Sequence, residues 1–426
     1  MRVTILTVGS RGDVQPFVAF GEGLARAGHE VRLATHPRFH ALAARAMLEL
    51  APLEEGRLSQ GPGTEEGRRW MESGSRRLPT WVGLVKDARS VARRRLADAV
   101  AACDGAEAIV ASNLATLLGW QLSEQLGIPL VRALLTPPGP IMHGPARPAV
   151  AVVRQGAWLA AWPWLRSVRR DVGLRAPAVR EPIGTMHRRR VPVLYPFSEA
   201  AVPRPPGAGA RTVVCGYWFL DRDVDLDPPP QLVEFLAAGP PPVCIGFGSM
   251  LDADPRRTTE LAIAALRRAR RRGVLVAGQY GFAGGDLPAD VVAVKEISYR
   301  WLFPQCAAVV HAGGAGTTAL TLRAGVPSVA VPQLSDQLFW ARSLHQLGVS
   351  AAPIHRRRLS AEGLAEAIIA VTGERAISDR AAALGRRIRA EDGVARAVGA
   401  FERYVGGRGL PNDRRAVTTS SSPAAG

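Results

Sequence analysis

One succession of segments recurs four times along this chain and restricts its fold to one class. A short apolar run is followed by a turn, a segment with helical spacing, a glycine and a second apolar run. The first copy has strands at Val3–Val8 and Glu30–Ala34, separated by a helical segment, Val14–Ala27, that ends at Gly28. Buried strands joined by crossover helices form parallel sheets. The sequence therefore predicts a doubly wound α/β fold.

The four copies fall into two groups, one in each half of the chain, at 3–34 and 108–133 and at 243–277 and 307–331. A length of 426 residues also favours two domains, at roughly 100–200 residues per domain. We expect an N-terminal domain over 1–210, an interdomain linker over 211–230, a C-terminal domain over 231–405 and a disordered tail over 406–426. The last helical segment, 378–404, is expected to pack back on the first domain.

The chain carries a formal net charge of +17, almost all of it from arginine, since Lys86 and Lys295 are its only lysines. The densest cluster, Arg166–Arg190, holds eight arginines and two acidic residues. It matches no nucleic-acid module, so we expect no nucleic-acid partner. A solvated helix face is the simplest interpretation, and peripheral contact with a membrane or an anionic substrate is the alternative.

The cysteines and the N-terminus bear on compartment and metal binding. The four cysteines are scattered without a CxxC motif, which predicts reduced thiols, no disulfides and no zinc site. The apolar run at the N-terminus is too short for a signal peptide, and no stretch is long and apolar enough to span a membrane. We expect a cytoplasmic protein.

The strongest chemical signal is the segment His311–Thr318, HAGGAGTT, which follows a predicted strand and opens a predicted helix. Its glycines allow close approach of a ligand, and free N–H groups at a helix N-terminus favour a phosphate. The segment is neither GxGxxG nor a P-loop, so neither a dinucleotide fold nor a P-loop NTPase is indicated. A plain strand–helix turn is the alternative.

Three further turns follow predicted strands and belong at the same edges of the two sheets. The turn Gly246–Met250 is a second phosphate-compatible turn. Asp336 and Gln337 suit sugar hydroxyls, although Asp336 fits a helix cap equally well. Asp13, after the first strand, is placed to take a proton from a hydroxyl, and its alternative role is a helix cap. A helix N-terminus is expected to lower the pKa of Asp13.

Four motifs, in order along nearly the whole chain, resemble the GT-B glycosyltransferases of family 1. They are GSRGDVQP at 9–16, GYWFLD at 216–221, GFGSM at 246–250 and the run 311–337. The resemblance is closest to bacterial natural-product glycosyltransferases of the glycopeptide and macrolide type and to sterol 3-β-glucosyltransferases. It implies two Rossmann-like domains facing across a cleft, the first binding an acceptor and the second a nucleotide sugar.

The resemblance also implies an inverting, metal-independent hexosyl transfer from a UDP- or dTDP-sugar, with no further cofactor, to a small hydrophobic or aromatic acceptor. Asp13 matches the general base, and the donor-binding positions are Ser10, Arg11, Ser249, Trp301, His311, Gly314, Gly316, Thr317, Asp336 and Gln337. Relatives often have histidine where this chain has Tyr299 and Ala312.

Several features leave alternatives open. Six of the nine tryptophans precede residue 165, and they either line the acceptor site or belong to the core: Trp70, Trp81, Trp120, Trp158, Trp162 and Trp164. The run Asp221–Asp225 resembles a metal-binding DxD motif, but we expect no metal there. Glu366 and Glu374 match the spacing of a retaining pair, which we interpret as chance. A lipid-linked sugar transferase and a catalytically silent helper are the competing functions.

Overall fold

The computed structural model describes residues 1–55, 78–137, 147–205, 208–220, 227–247, 254–278, 287–333 and 335–406. The strands are β1 Arg2–Leu6, β2 Glu30–Thr35, β3 Glu49–Pro52, β4 Ala108–Ala111, β5 Leu130–Ala133, β6 Val193–Tyr195, β7 Thr212–Val214, β8 Val243–Gly246, β9 Gly273–Val276, β10 Val291–Val294, β11 Ala308–His311 and β12 Ser328–Ala330. The helices are α1 Arg11–Arg26, α2 His40–Arg45, α3 Leu78–Ala102, α4 Thr116–Leu126, α5 Arg147–Asp171, α6 Pro182–Arg188, α7 Pro230–Ala237, α8 Pro255–Ala269, α9 Tyr299–Leu302, α10 Ala315–Ala324, α11 Ser335–Gln346, α12 Ala361–Gly373, α13 Arg375–Arg389 and α14 Gly393–Gly406.

The strands form two parallel sheets, as the repeated strand–helix units predict. The first has the order β3-β2-β1-β4-β5-β6-β7 and the second the order β10-β9-β8-β11-β12. In each sheet the strand order reverses direction between two neighbouring strands, β1 and β4 in the first and β8 and β11 in the second. Ligands of open α/β sheets bind at such switch points, beyond the carboxyl ends of the strands. The turns after β1, β8 and β11 therefore occupy the expected binding edges.

Continuous apolar strands and helix-ending glycines explain why the sheets form here. Every residue of β4, β8 and β11 is buried, as expected for strands covered by helices on both faces. Gly127 ends α4 and Gly325 ends α10, both in the left-handed conformation that glycine adopts without strain. Full burial of one valine or isoleucine side chain of these strands contributes about 1.5–3 kcal/mol to folding.

The first sheet extends further along the chain than the sequence indicated. β7, Thr212–Val214, pairs with β6, so the seventh strand lies inside the segment that we expected to be a linker. The N-terminal domain therefore continues past residue 210 to at least residue 214. Both strands have only three residues, which leaves little local pattern to recognise.

The end of the chain contains two helices where one helical segment was expected. α13 ends at Arg389 and α14 begins at Gly393, with a short turn between them. α14 packs against α1, where Val394 and Val398 lie over Gly23, and the ring of Phe401 meets Phe20 edge-on at 6.3 Å. The C-terminal helix therefore covers a helix of the N-terminal domain.

Two hydrogen bonds also join the halves near the sheet edges. Ser198 donates its hydroxyl to Glu391 at 2.6 Å, and the Trp340 indole N–H donates to the Thr136 hydroxyl at 3.3 Å. These bonds connect the two halves of the chain in addition to the packing of α14 against α1.

Candidate functional site

The turn between β1 and α1 holds the carboxylate of Asp13 in one orientation. Asp13 Oδ2 accepts hydrogen bonds from the backbone N–H and the hydroxyl of Ser10, each at 2.8 Å. Gly9 has φ +128°, and a Cβ on it would lie 2.6 Å from Asp13 Oδ2. Glycine is therefore required at position 9, both for the backbone and for space. Both hydrogen bonds are accepted by Oδ2.

Burial raises the pKa of Asp13 above its ordinary value, and the nearby charge of Asp336 raises it further. The hydrogen bonds from Ser10 and the charge of Arg38 oppose this shift. The expectation that the helix N-terminus lowers this pKa was therefore wrong, because desolvation of the carboxylate outweighs the favourable donors. A carboxylate with a raised pKa is a stronger base than an ordinary aspartate.

Two residues at the end of β2 support this turn. Arg38 donates from Nη2 to the Gly9 carbonyl at 2.6 Å and forms an ion pair with Glu55. The Gly9 N–H donates to Nε2 of His36 at 3.4 Å. Burial, together with the charge of Arg38, lowers the pKa of His36 to about 4, so this ring is neutral and accepts the bond.

Both supporting residues, His36 and Arg38, lie outside the four sequence motifs. His36 and Arg38 directly follow a predicted strand whose end lies beside the end of β1 in the sheet. Polar residues after neighbouring strands of a parallel sheet are a recognisable signal. The sequence alone therefore held the information that places them near Asp13.

In the C-terminal domain, His311 is the last residue of β11 and is 1% exposed. Its Nδ1 accepts a hydrogen bond from the Gly313 N–H at 3.0 Å, so in the neutral ring Nε2 carries the proton. Burial lowers the pKa of His311 to about 4. Nε2 is buried without a hydrogen-bond partner among the described residues. This ring therefore presents an unsatisfied N–H donor, which is costly unless a ligand accepts it.

The glycines after His311 bring the two halves of the site together. Gly314 caps α10, with open space where its side chain would lie. A Cβ on Gly316 would lie 3.3 Å from Cα of Gly12 in α1. The N-termini of α1 and α10, one from each domain, therefore meet, and Thr317 lies half-buried in the first turn of α10. Two convergent helix N-termini favour a bound anion.

Asp336 and Gln337 lie in the first turn of α11, on the same edge. Gln337 is buried, and its Oε1 accepts a hydrogen bond from the Gln333 N–H at 2.8 Å. A Cβ on Gly313 would lie 2.9 Å from the backbone carbonyl oxygen of Gln337. Asp336 is the second residue of α11 rather than its cap, and it is exposed. The negative charge of Asp336 raises the pKa of Asp13, which lies in the other domain. The structure therefore brings Asp13, His311 and Asp336 to one region.

Comparisons with known proteins agree with this arrangement. The family model of the C-terminal domain of erythromycin biosynthesis protein CIII-like proteins matches residues 275–398, and that of the glycosyltransferase family 28 N-terminal domain matches residues 3–138. O-mycaminosyltylonolide 6-deoxyallosyltransferase of Streptomyces fradiae is 36% identical over 95% of this chain and 98% of its own length. A sterol 3-β-glucosyltransferase of Arabidopsis thaliana is 32% identical over 95% of this chain and 68% of its own length. The chain belongs to the family 1 glycosyltransferases.

Solved structures show the fold of this glycosyltransferase. The glycosyltransferase of kitacinnamycin has a TM-score of 0.71 at 22% identity and covers 95% of this chain and 99% of its own. A calicheamicin glycosyltransferase has a TM-score of 0.69 at 19% identity and covers 96% and 99%. The predicted GT-B fold, with two Rossmann-like domains, is confirmed.

The remaining donor-site candidates of the glycosyltransferase are placed less tightly. Ser249 lies outside the described residues. Trp301 is half-buried in α9, and its backbone N–H lies 3.3 Å from the Ser298 hydroxyl. Tyr299 stacks on Phe303 with ring centroids 4.5 Å apart and lies beside Gly246. The exposed Arg11 donates to the side chain of Gln15 at 3.1 Å.

The tryptophans of the N-terminal domain divide by exposure. Trp120 and Trp158 are buried and line a cavity of about 200 Å³ between α4, α5 and residues 175–178. Trp162 is half-buried, whereas Trp164 is exposed. Trp70, and the side chain of Trp81, lie outside the described residues. The structure therefore gives two of the six a packing role and leaves the acceptor role of the set a prediction.

The candidates for other chemistry yield no site in the described part of the glycosyltransferase. No group of three or more His, Cys, Asp or Glu side chains there is arranged to hold a metal ion. The Asp221–Asp225 run lies outside the described residues. Glu374 is the N-cap residue that precedes α13. All four cysteines are free and buried. In the described helices, no segment is long and apolar enough to cross a bilayer.

Proposed function

We propose that this chain transfers a hexose from a UDP- or dTDP-sugar to a hydroxyl of a small natural-product or sterol-like acceptor, with inversion at the anomeric carbon. The observation that carries this proposal is the His311 N–H, which is buried without a hydrogen-bond partner among the described residues. It lies at the glycine-rich start of α10, where α10 meets the helix that bears Asp13. A diphosphate leaving group accepts hydrogen bonds from N–H groups of this kind, and a carboxylate such as that of Asp13 activates an acceptor hydroxyl by taking its proton.

Asp13 acts as the general base in this proposal. Its Oδ1 takes the proton of the acceptor hydroxyl as that oxygen attacks the anomeric carbon from the side opposite the diphosphate. The new carbon–oxygen bond forms while the bond to the diphosphate oxygen breaks, so the configuration inverts. The raised pKa of Asp13 increases its basicity, and the Ser10 hydrogen bonds hold Oδ2 still during the transfer.

The diphosphate is held by the C-terminal domain. His311 Nε2, the backbone N–H groups around Gly314 and Gly316, and the Thr317 hydroxyl supply donors, and Ser249 is a further candidate. These fixed donors stabilise negative charge as it develops on the leaving oxygen, so no metal ion is required. The donor site is completed by Asp336 and Gln337, which bind the sugar hydroxyls, and by Trp301, which packs against the nucleobase. Ser10 and Arg11 are its remaining residues.

The substrate classes follow from the relatives. One relative is named for a sterol acceptor and another for a macrolide lactone, and a structural neighbour was solved with dTDP. A polycyclic or macrocyclic alcohol is therefore the acceptor class to test, with both nucleotides as donors.

The test is a matrix of UDP- and dTDP-hexoses against sterol, macrolide and aromatic alcohols, read by mass spectrometry. We expect a mass gain of one hexose for at least one pair, and an anomeric proton coupling that shows inversion. The Asp13→Asn variant serves as the control for enzymatic transfer. Retention of configuration, or transfer that continues undiminished in the Asp13→Asn variant, would contradict the proposal.

A further inference from the structure

One side of helix α5 is buried, and the opposite side is apolar and exposed to solvent. Trp158, Val168 and Arg169 are buried. Val152 is 72% exposed, Val153 70%, Leu159 47% and Trp164 36%. Smaller exposed residues lie between them: Ala149, Gly156, Ala157, Ala160 and Pro163. Of all the described large apolar residues with exposed side chains, a third lie on this one helix.

These residues form one stripe rather than a scatter. At about 100° per residue, the exposed apolar positions from Val152 to Trp164 fall within an arc of roughly 160°. Val179, 59% exposed, lies beside the stripe, since its carbonyl accepts a hydrogen bond from Gln155 at 2.9 Å. A contiguous apolar patch on a folded protein marks an interaction surface, whereas single exposed apolar residues do not.

Arginines continue the stripe at its C-terminal end. Arg166 and Arg170 are exposed and fall within or at the edge of the same arc. The two acidic residues of the 166–190 segment are already paired, Asp171 with Arg89 at 3.3 Å and Glu181 with Arg154 at 3.1 Å. The surface around the stripe is therefore apolar and positive, with its acids neutralised.

This pattern is that of a helix which lies in a membrane interface, with an apolar face and cationic flanks. A second copy of the chain fits less well, because a symmetric contact would bring the arginines of two +17 molecules together. We propose that the exposed face of α5 docks the protein on an anionic lipid bilayer. Val152, Val153, Leu159 and Trp164 enter the interface, while Arg166 and Arg170 bind lipid phosphates.

The proposal is independent of the transfer reaction and is tested by binding. The full chain is sedimented with phosphatidylcholine vesicles that contain or lack 30–40% phosphatidylglycerol, at low and physiological salt. We expect binding to the anionic vesicles alone. Each arginine near such a surface contributes about fivefold, so Arg166→Gln/Arg170→Gln is expected to weaken partitioning about thirtyfold (about 2 kcal/mol).

Matched controls separate this face from the general positive charge. Arg256→Gln/Arg375→Gln removes two exposed arginines from the C-terminal domain and is expected to weaken binding less than threefold. Val152→Ser/Val153→Ser is expected to weaken binding strongly, whereas Val233→Ser/Ile369→Ser, at exposed sites of the other domain, leaves it unchanged.

Three results would overturn the proposal. The first is no sedimentation of the wild-type chain with anionic vesicles at low salt. The second is equal loss of binding in the α5 variants and their controls. The third is a concentration-dependent dimer that the Val152→Ser/Val153→Ser variant abolishes, which would assign the face to a second copy. Turnover of a water-soluble acceptor by Arg166→Gln/Arg170→Gln, expected to match the wild type, keeps this test separate from that of the transferase activity.

Discussion

Replacing His311 by asparagine removes one donor and leaves the loop intact. The asparagine Oδ1 can take the place of Nδ1 and accept the Gly313 N–H, now accepted at 3.0 Å. No atom of asparagine reaches the position of Nε2. A hydrogen bond to a charged group contributes about 1.5–3 kcal/mol, so kcat/KM for the donor should fall about 10- to 150-fold.

The thermal stability of His311→Asn should change much less than its kcat/KM for the donor. Nε2 of His311 is buried without a hydrogen-bond partner among the described residues, and the Nδ2 amide of asparagine replaces it as a buried donor, so the cost of about 1–3 kcal/mol for an unsatisfied donor is largely unchanged. The smaller side chain leaves a cavity, which lowers the stability. The melting temperature of His311→Asn should therefore fall by a modest amount, set by the cavity, while donor affinity falls by the larger factor given above.

Calorimetry with UDP and dTDP, initial rates and thermal melts give the three quantities. Because burial lowers the pKa of His311 to about 4, the ring stays neutral above pH 5. KM for the nucleotide sugar, whose diphosphate has no group that titrates near neutral pH, should therefore show no titration of His311 near pH 6.5. Wild-type affinity and turnover in a variant with a clearly lowered melting temperature would show that His311 only packs, and would refute the reasoning.

Three other changes probe the same site. Gly9→Ala should lower the stability by about 1–3 kcal/mol, because alanine is strained at a φ of +128°. It should also lower kcat, because the new Cβ displaces Asp13; thermal melts and initial rates measure the two effects. Arg38→Gln removes a charge that lowers the pKa of Asp13, so the acidic limb of the pH–rate profile should move to higher pH; an unmoved limb would contradict this. Activity should survive excess EDTA, and loss with rescue by magnesium or manganese would show that a metal is needed.

Local patterns were sufficient to predict the parallel sheets and the edges that carry the site. A few consecutive residues are enough to recognise strand β1, the glycine that follows α1 and the HAGGAGTT segment. The strand order then brings the turns after β1 and β11 to switch points, which follows from parallel topology rather than from any single motif.

Properties set by the folded surroundings were not predictable in this way. The pKa of Asp13 is raised because distant segments bury it, which its position at a helix N-terminus does not reveal. That Nε2 of His311 has no hydrogen-bond partner in the described part of the chain depends on every residue packed around it. The exposed face of α5 likewise became visible only once the buried side of that helix was known.

The central claim is tested most directly by the turnover of Asp13→Asn with saturating donor and acceptor. Asparagine keeps the shape of the side chain and can still accept the Ser10 hydrogen bonds, so the fold and the nucleotide affinity should hold. It cannot take the hydroxyl proton, and turnover should fall by roughly a hundred- to ten-thousandfold. A folded variant whose turnover stays within about threefold of the wild type would contradict the account, given the far larger loss expected for a general base.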